Sequence, residues 1–321
     1  MNKKSPEIVF MGTPEFAVAS LQAILQAGYN VKGVITSPDK PSGRGLQLHP
    51  SPVKQFALAH HLPVLQPLKL KDPAFLEALK SLQADLQVIV AFRMLPEEVW
   101  NMPPLGTFNL HASLLPQYRG AAPINWAVMN GEPVTGVTTF FLNHEIDKGS
   151  VLFKEQTVIG PEETAGDVHD RLMNIGAALV VKTIASIASG KVTGLDQHLL
   201  ESGILKSAPK IFKNDCKILW NSNVTTLYNF IRGLSPFPTA WSTLVTEKGE
   251  PLTVKIFFGR PEKNVHHDAP GTIHTDGQHY LSVAASDGFI SIEQIQLQGK
   301  KQMGIAEFLR GFPQASRCRF E

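Results

Sequence analysis

One stretch, Phe108-Asn109-Leu110-His111-Ala112-Ser113-Leu114-Leu115-Pro116-Gln117-Tyr118-Arg119-Gly120, holds two residue types that acyl transfer can use. Asn109 offers an amide donor, which can stabilise a developing oxyanion. His111 offers an imidazole, a group that can move a proton because its unperturbed pKa lies near neutrality. The two stand two residues apart at the end of an expected strand, so both side chains point to the same side. Spacing alone leaves open a plainer reading, in which both cap a loop. A third candidate is Asp147, in His144-Glu145-Ile146-Asp147-Lys148-Gly149. Its carboxylate could orient His111 and stabilise the protonated ring, as the acid of a triad does. An Asp ahead of a Lys-Gly turn is also a common turn former. A fourth element is the loop Thr36-Ser37-Pro38-Asp39-Lys40-Pro41-Ser42-Gly43-Arg44-Gly45, which carries Lys40 and Arg44 among prolines and glycines. Such a loop can contact phosphates, or simply present two solvated cations.

The elements that must position these residues follow from hydrophobic period. Glu7–Met11 predicts a strand, with Thr13 as N-cap and Pro14 at the first position of a helix that Gly28 closes. Val31–Ile35 predicts a second strand, followed by an irregular loop over Thr36–His49. Pro52–His61 and Pro73–Leu82 predict helices. Leu86–Phe92 is a continuous apolar run of the fully buried strand kind, and Gly106–Leu110 begins another strand. Val134–Leu142 and Gly149–Val158 predict a further pair, and Thr164–Ser189 a long amphipathic helix. This order argues a doubly wound, mostly parallel α/β sheet, which binds ligands beyond the carboxyl ends of its strands. From about Ala208 the pattern changes to short β segments around one helix near Val224–Gly233, which predicts a second, smaller OB-like β-barrel domain. The expected division is 1–190, a linker at 191–207, and 208–321. After the first strand stands Met11-Gly12-Thr13-Pro14-Glu15-Phe16, with one glycine, so the G-x-G-x-x-G of dinucleotide sites is missing.

Bulk properties narrow the class. The chain has 321 residues, 43% hydrophobic and 18% charged, enough for two cores and against global disorder. Cys216 and Cys318 form no spaced cluster, so neither a disulfide framework nor a metal site is expected. No run approaches the roughly 18 apolar residues of a membrane span, and no signal peptide is visible, so a cytoplasmic protein is expected. Charge is uneven. Residues 1–204 hold 16 Lys and Arg against 18 Asp and Glu, whereas residues 205–321 hold 14 against 10. A basic C-terminal region allows a polyanionic partner, or is an ordinary surface.

Taken together, these pieces resemble the methionyl-tRNA formyltransferase family over essentially the whole chain. The resemblance rests on Phe10–Phe16, the Ser37–Gly45 loop, Ser51-Pro52-Val53-Lys54, Leu62–Pro67 and Asn109–Pro123. It also rests on Pro270–Ile273, Asp287-Gly288 and Gly299-Lys300-Lys301. It implies 10-formyltetrahydrofolate as formyl donor and the α-amino group of methionyl-initiator tRNA as acceptor, a step that supports translation initiation. It implies that Asn109, His111 and Asp147 are catalytic, and that Ser113, Leu114, Leu115 and Pro116 line the folate site with Phe92 and Leu142. It implies that Arg44 reads the tRNA acceptor end and that the C-terminal β domain adds tRNA affinity; Lys40 of the same loop, Lys206 and Lys210 are the further candidates for tRNA contact. No metal is expected, nor a membrane partner, and a monomer is the default. The sequence departs from the family in two places. Ala91-Phe92-Arg93-Met94-Leu95-Pro96 is one residue shorter than the common Ala-Tyr-Gly form. Leu46-Gln47-Leu48 replaces lysines after the Arg44 loop, and Lys206, Lys210, Lys213 and Lys217, or Lys300 and Lys301, would compensate. The rival readings are a formyltransferase acting on a nucleotide sugar or on glycinamide ribonucleotide, a formyl-folate hydrolase, and an RNA-binding module on an inactive enzyme domain.

Overall fold

The apolar runs place the sheet. In the computed structural model, which describes residues 5–42 and 47–321, Ile8–Gly12 (β1) and Leu86–Val90 (β6) are buried at every position, as a sheet covered on both faces demands. Around them lie Val31–Ile35 (β2), Val64–Leu65 (β5), Thr107–His111 (β7), Val134–Phe141 (β9) and Val151–Val158 (β10). The order is β10-β9-β7-β6-β1-β2-β5, parallel from β5 to β7, with β9 antiparallel to β7. The expected irregular loop over 36–49 instead contains Lys40–Ser42 (β3) paired antiparallel with Gln47–His49 (β4). Two-residue strands occur at Arg119–Gly120 (β8) and Ser207–Ala208 (β11).

Helices Glu15–Gln26 (α1), Pro52–Ala59 (α2), Pro73–Ser81 (α3) and Glu97–Trp100 (α4) follow the parallel strands. The expected N-cap moves by one residue. Pro14 occupies that position in α1, and the Thr13 hydroxyl instead shares a 3.1 Å hydrogen bond with Ser37. In α2 and α3 the caps match the local signal, Ser51 and Asp72 accepting backbone N–H bonds ahead of a proline. The long helix Ala165–Ser189 (α6) is apolar and long enough to span a membrane by length and composition. Its buried Thr183 hydroxyl meets the Thr139 hydroxyl of β9 at 2.9 Å, and Val180 and Ile184 beside it are fully buried, so this part of the helix packs on the sheet.

The chain divides into two units. Among the described residues, the first comprises those up to Gly120, with Thr135–Thr157 and His169–Ser207; the second comprises Ala121–Val134, Val158–Val168 and Ala208–Glu321. The second unit therefore includes a helix that hydrophobic period did not pick out, Pro123–Met129 (α5). It packs against Val224–Leu234 (α7), where Gly233 leaves room for Met129 and its carbonyl accepts from Asn125 at 2.8 Å. The rest is a barrel-like antiparallel sheet built from Ala240–Val245 (β12), Pro251–Lys263 (β13), Ile273–Thr275 (β14), Leu281–Ala284 (β15), Gly288–Leu297 (β16), Met303–Gly304 (β17) and Arg319–Phe320 (β18). The order β14-β15-β16-β13-β12-β18 nearly closes, because Thr272 bridges Arg319 and Phe320 N–H donates to Gly271 O. Closure needs a glycine there: Gly271 has φ +90, and a Cβ would sit 2.1 Å from the Phe320 carbonyl oxygen. Ile305–Gly311 (α8) follows β17 and contributes Phe308 and Leu309 to the barrel core.

Candidate active site

The ladder places Asn109 and His111. In β7, Asn109 lies between Ile89 of β6 and Phe140 of β9, and His111 lies opposite Thr138. The period-2 rule therefore puts both side chains on one face near the carboxyl end of a parallel strand. The Oδ1 atom of Asn109 is buried without a hydrogen-bond partner. A buried amide end left unpaired is costly unless something else meets it, and a half-turn of the carboxamide would present Nδ2–H at the same place. His111 is 6% exposed. Its Nε2 lies 2.9 Å from the Tyr118 carbonyl, which can only accept, so Nε2 carries a proton, and in the neutral ring it is Nδ1 that holds the lone pair.

A strap over residues 113–120 runs past the end of β7. Thr138, opposite His111, anchors its start: the hydroxyl donates to Ser113 O at 2.6 Å and accepts from Leu115 N–H at 3.1 Å. Ser113 turns its own hydroxyl onto Gln117 O at 2.6 Å. Leu115 is fully buried with Phe140 and Val151. Of the expected folate-lining residues, Ser113 and Leu115 thus direct their side chains inward, Pro116 is buried and Leu114 is half-buried. Phe92 and Leu142 are also half-buried and pack against one apolar cluster that includes Met11 and Ile89.

Asp147 is held by different means. It sits in a turn after β9 with φ +54, a left-handed conformation that non-glycine residues adopt at a cost. Its Oδ2 accepts from Gly120 N–H at 3.1 Å. Among the described residues, His111 and Asp147 share no hydrogen bond or ion pair. The expectation that Asp147 directly orients His111 is therefore not met in this state; the Tyr118 carbonyl orients the ring. Histidine and carboxylate are instead tied to one strap, at positions two residues apart.

The shortened segment after β6 is built around Arg93. Its guanidinium donates to the carbonyls of Pro67 and Leu68 and lies 5.5 Å from the centre of the Phe92 ring, and its Nε is buried without a partner. Burial pushes its pKa below the usual arginine value. Ala91, at φ +48, makes the bend. Arg93 thereby links the loops after β5 and β6, both at the carboxyl edge of the sheet.

The candidate cationic residues that the structure describes are exposed. Lys40 stands at the start of β3, next to an anchored Asp39 that takes hydrogen bonds from Lys54 at 2.6 Å and Gln66 at 2.8 Å. Those two donors hold the Asp39 carboxyl below its ordinary pKa. Arg44 lies outside the described residues. Lys206 is exposed and its backbone carbonyl accepts from Tyr118 N–H; Lys210 is exposed, with its ammonium 5.2 Å from the Phe212 ring centre. Sequence reasoning missed Thr138, Arg119 and Gln197, none of which belongs to a spaced motif with the residues it contacts.

Comparisons with known proteins converge. Residues 7–184 match the formyl transferase family, and residues 210–313 match the formyl transferase C-terminal domain. A methionyl-tRNA formyltransferase of Bacteroides fragilis is 56% identical over 313 residues, covering 97% of each chain. One from Porphyromonas gingivalis is 46% identical over 324 residues and covers 100% of both chains. Among solved structures, a sugar 3N-formyl transferase crystallised in the presence of dTDP and 5-N-formyl-THF superposes with a TM-score of 0.62 at 20% identity, over 92% of this chain and 99% of that one. HypX from Aquifex aeolicus in complex with tetrahydrofolic acid gives 0.63 at 17% identity, over 95% of this chain and 47% of that one. At such identities the structural likeness speaks to fold alone. The sequence matches, running through both units at this identity, speak to the enzyme itself: the chain belongs to the methionyl-tRNA formyltransferase family.

Proposed function

We propose that this enzyme moves a formyl group from 10-formyltetrahydrofolate to the α-amino group of methionine carried by initiator tRNA, as a cytoplasmic monomer. The observation that carries the reading is the Asn109 carboxamide, whose buried oxygen has no partner, two residues from His111 at the carboxyl end of β7. A formyl donor is a fitting occupant, because its carbonyl oxygen gains negative charge on attack and needs a donor there. The amine nitrogen bonds to the formyl carbon, Asn109 donates to the resulting oxyanion, and the bond to the folate nitrogen breaks. The proton lost by the amine ends on that nitrogen. His111 relays it through Nδ1, directly or by a water that Asp147 holds. Holding amine and donor together supplies much of the remaining acceleration.

In this reading residues 1–190 are the catalytic domain, 191–207 the connection and 208–321 the tRNA-binding domain. Leu114, Pro116, Phe92 and Leu142 border the folate, and Ser113 and Leu115 shape that wall from within. Lys40, Arg44, Lys206 and Lys210 attract tRNA phosphates, which predicts affinity that falls steeply with salt. The test is an acceptor panel with 10-formyltetrahydrofolate: methionyl-initiator tRNA, a methionyl-elongator tRNA and glycinamide ribonucleotide. Formylation of the initiator species is expected. Activity on glycinamide ribonucleotide alone would overturn the acceptor.

A further inference from the structure

The segment between α6 and β11 reads in sequence as a connection, yet it contains a fully enclosed polar residue. Gln197 is 1% exposed. The chain around it is fastened to the sheet: Val151 of β10 and Leu195 exchange both backbone hydrogen bonds at 2.8 Å, and Leu200 packs on Leu115, Phe140 and Val151. A short 3-10 turn, Gln197–Leu200, begins there and is capped by Asp196.

The Gln197 carboxamide is saturated. Nε2 donates to the carbonyls of Asp147 and Gly149, each at 2.8 Å, and Oε1 accepts from Arg119 Nε at 3.1 Å and Nη2 at 2.8 Å. A rotated amide would face two carbonyls with its oxygen and a guanidinium with its NH2, so only one orientation is tolerable. Glu201 pairs with the same guanidinium at 3.2 Å. Arg119 is the neighbour of Gly120, whose N–H holds Asp147 Oδ2. The contacts close a ring from the Asp147 carboxylate to Gly120, along the backbone to Arg119, through Gln197, and back to the Asp147 carbonyl.

We infer that Gln197, with Arg119, is a positioning residue for Asp147: it fixes the left-handed turn from which that carboxylate works. The inference rests on the reading of Asp147 as a catalytic group. It follows from what the turn lacks. The Asp147 φ of +54 is unfavourable for a side-chain-bearing residue, and such a conformation persists only where surrounding contacts over-determine it. Local bonds hold the rest of the turn, Asn143 to the Glu145 N–H and Lys148 to Glu145, while His144 faces Glu97 and Trp100; at Asp147 and Gly149 themselves the contacts are the two Gln197 donors and the Gly120 amide.

The experiment compares Gln197→Met, Gln197→Glu and Arg119→Lys with Asp147→Asn. It reads kcat, KM for each substrate, the pH dependence of kcat and thermal unfolding. Gln197→Met removes both donors, and kcat should fall on the order of 10²-fold, as for a displaced reacting group, with KM values within about two-fold of wild type. Gln197→Glu keeps the acceptor for Arg119 but sets a negative charge against the turn. A like charge raises the pKa of a carboxyl, so the acid limb of kcat should move to higher pH. Arg119→Lys replaces two directed bonds with one and should show a smaller fall in kcat, which keeps the test open if Gln197→Met fails to fold. If all three variants lose only thermal stability, with kcat and the acid limb unchanged while Asp147→Asn is inactive, Gln197 is structural and the inference is wrong. If Asp147→Asn itself turns over normally, the reading of Asp147 falls, and the inference with it.

Discussion

Strand β7 and the turn at 143–149 each deliver candidate catalytic groups, but they fix them in opposite ways. Asn109 and His111 take their places from ladder hydrogen bonds to β6 and β9, which depend on backbone and not on residue type. Asp147 takes its place from an enclosed glutamine fifty residues later and an amide twenty-seven residues earlier. A ladder residue can therefore be exchanged with little effect on its neighbours, whereas the turn shares its geometry among a few irreplaceable groups. The lesson is that function and stability separate on the strand and are joined at the turn.

The sharpest way to break this contrast is Gly149→Ala. A Cβ at Gly149 would lie 1.6 Å from the Phe141 carbonyl oxygen, so the turn has to move. The expected loss of stability is on the order of 4 kcal/mol, read as a lower urea midpoint with unchanged slope; an unchanged midpoint would show that the turn is not constrained. Asn109→Ala probes the other side. Its kcat should fall about 10²–10³-fold, while stability should hold or rise, because the removed Oδ1 is buried with no hydrogen bond to lose. Parallel loss of stability and turnover would erase the distinction.

Arg93→Met applies the same test to the loop after β6. Removing the donors to Pro67 and Leu68 carbonyls should cost about 1–3 kcal/mol and raise KM for the formyl donor with kcat kept; a kcat effect alone would place Arg93 elsewhere in the reaction. The smallest effect belongs to Asp39. Its folded pKa is lowered by Lys54 and Gln66, so its contribution is present above an unfolded value of about 3.9 and is lost as pH falls through the lower folded value. Asp39→Asn should flatten the stability curve on that acid side, and denaturation measured between about pH 2 and 5 would reveal it.

Hydrophobic period alone predicts β1, β2, β6, β7 and α6 nearly at their observed bounds, because each buries apolar residues at a spacing that one element can satisfy. The doubly wound sheet, the antiparallel β domain and the Asn109–His111 pair follow from that local information. Elements whose reason for existing is tertiary are not legible in this way. Helix α5, beside α7, and helix α8, on the barrel core, are short, and packing against other elements stabilises them.

The site divides along the same line. Residue types and a period of two suffice to put an amide and an imidazole on one face of a strand. No local pattern connects Tyr118 to the ring of His111, Arg93 to the carbonyls after β5, or Gln197 to the Asp147 turn. Each is a hydrogen bond whose partners meet only after the sheet has assembled. The sequence by itself determined which groups could do the chemistry and which strand carries two of them. Tertiary structure alone decided how the third is held, because a buried polar group must find its partners in space, whatever its distance along the chain.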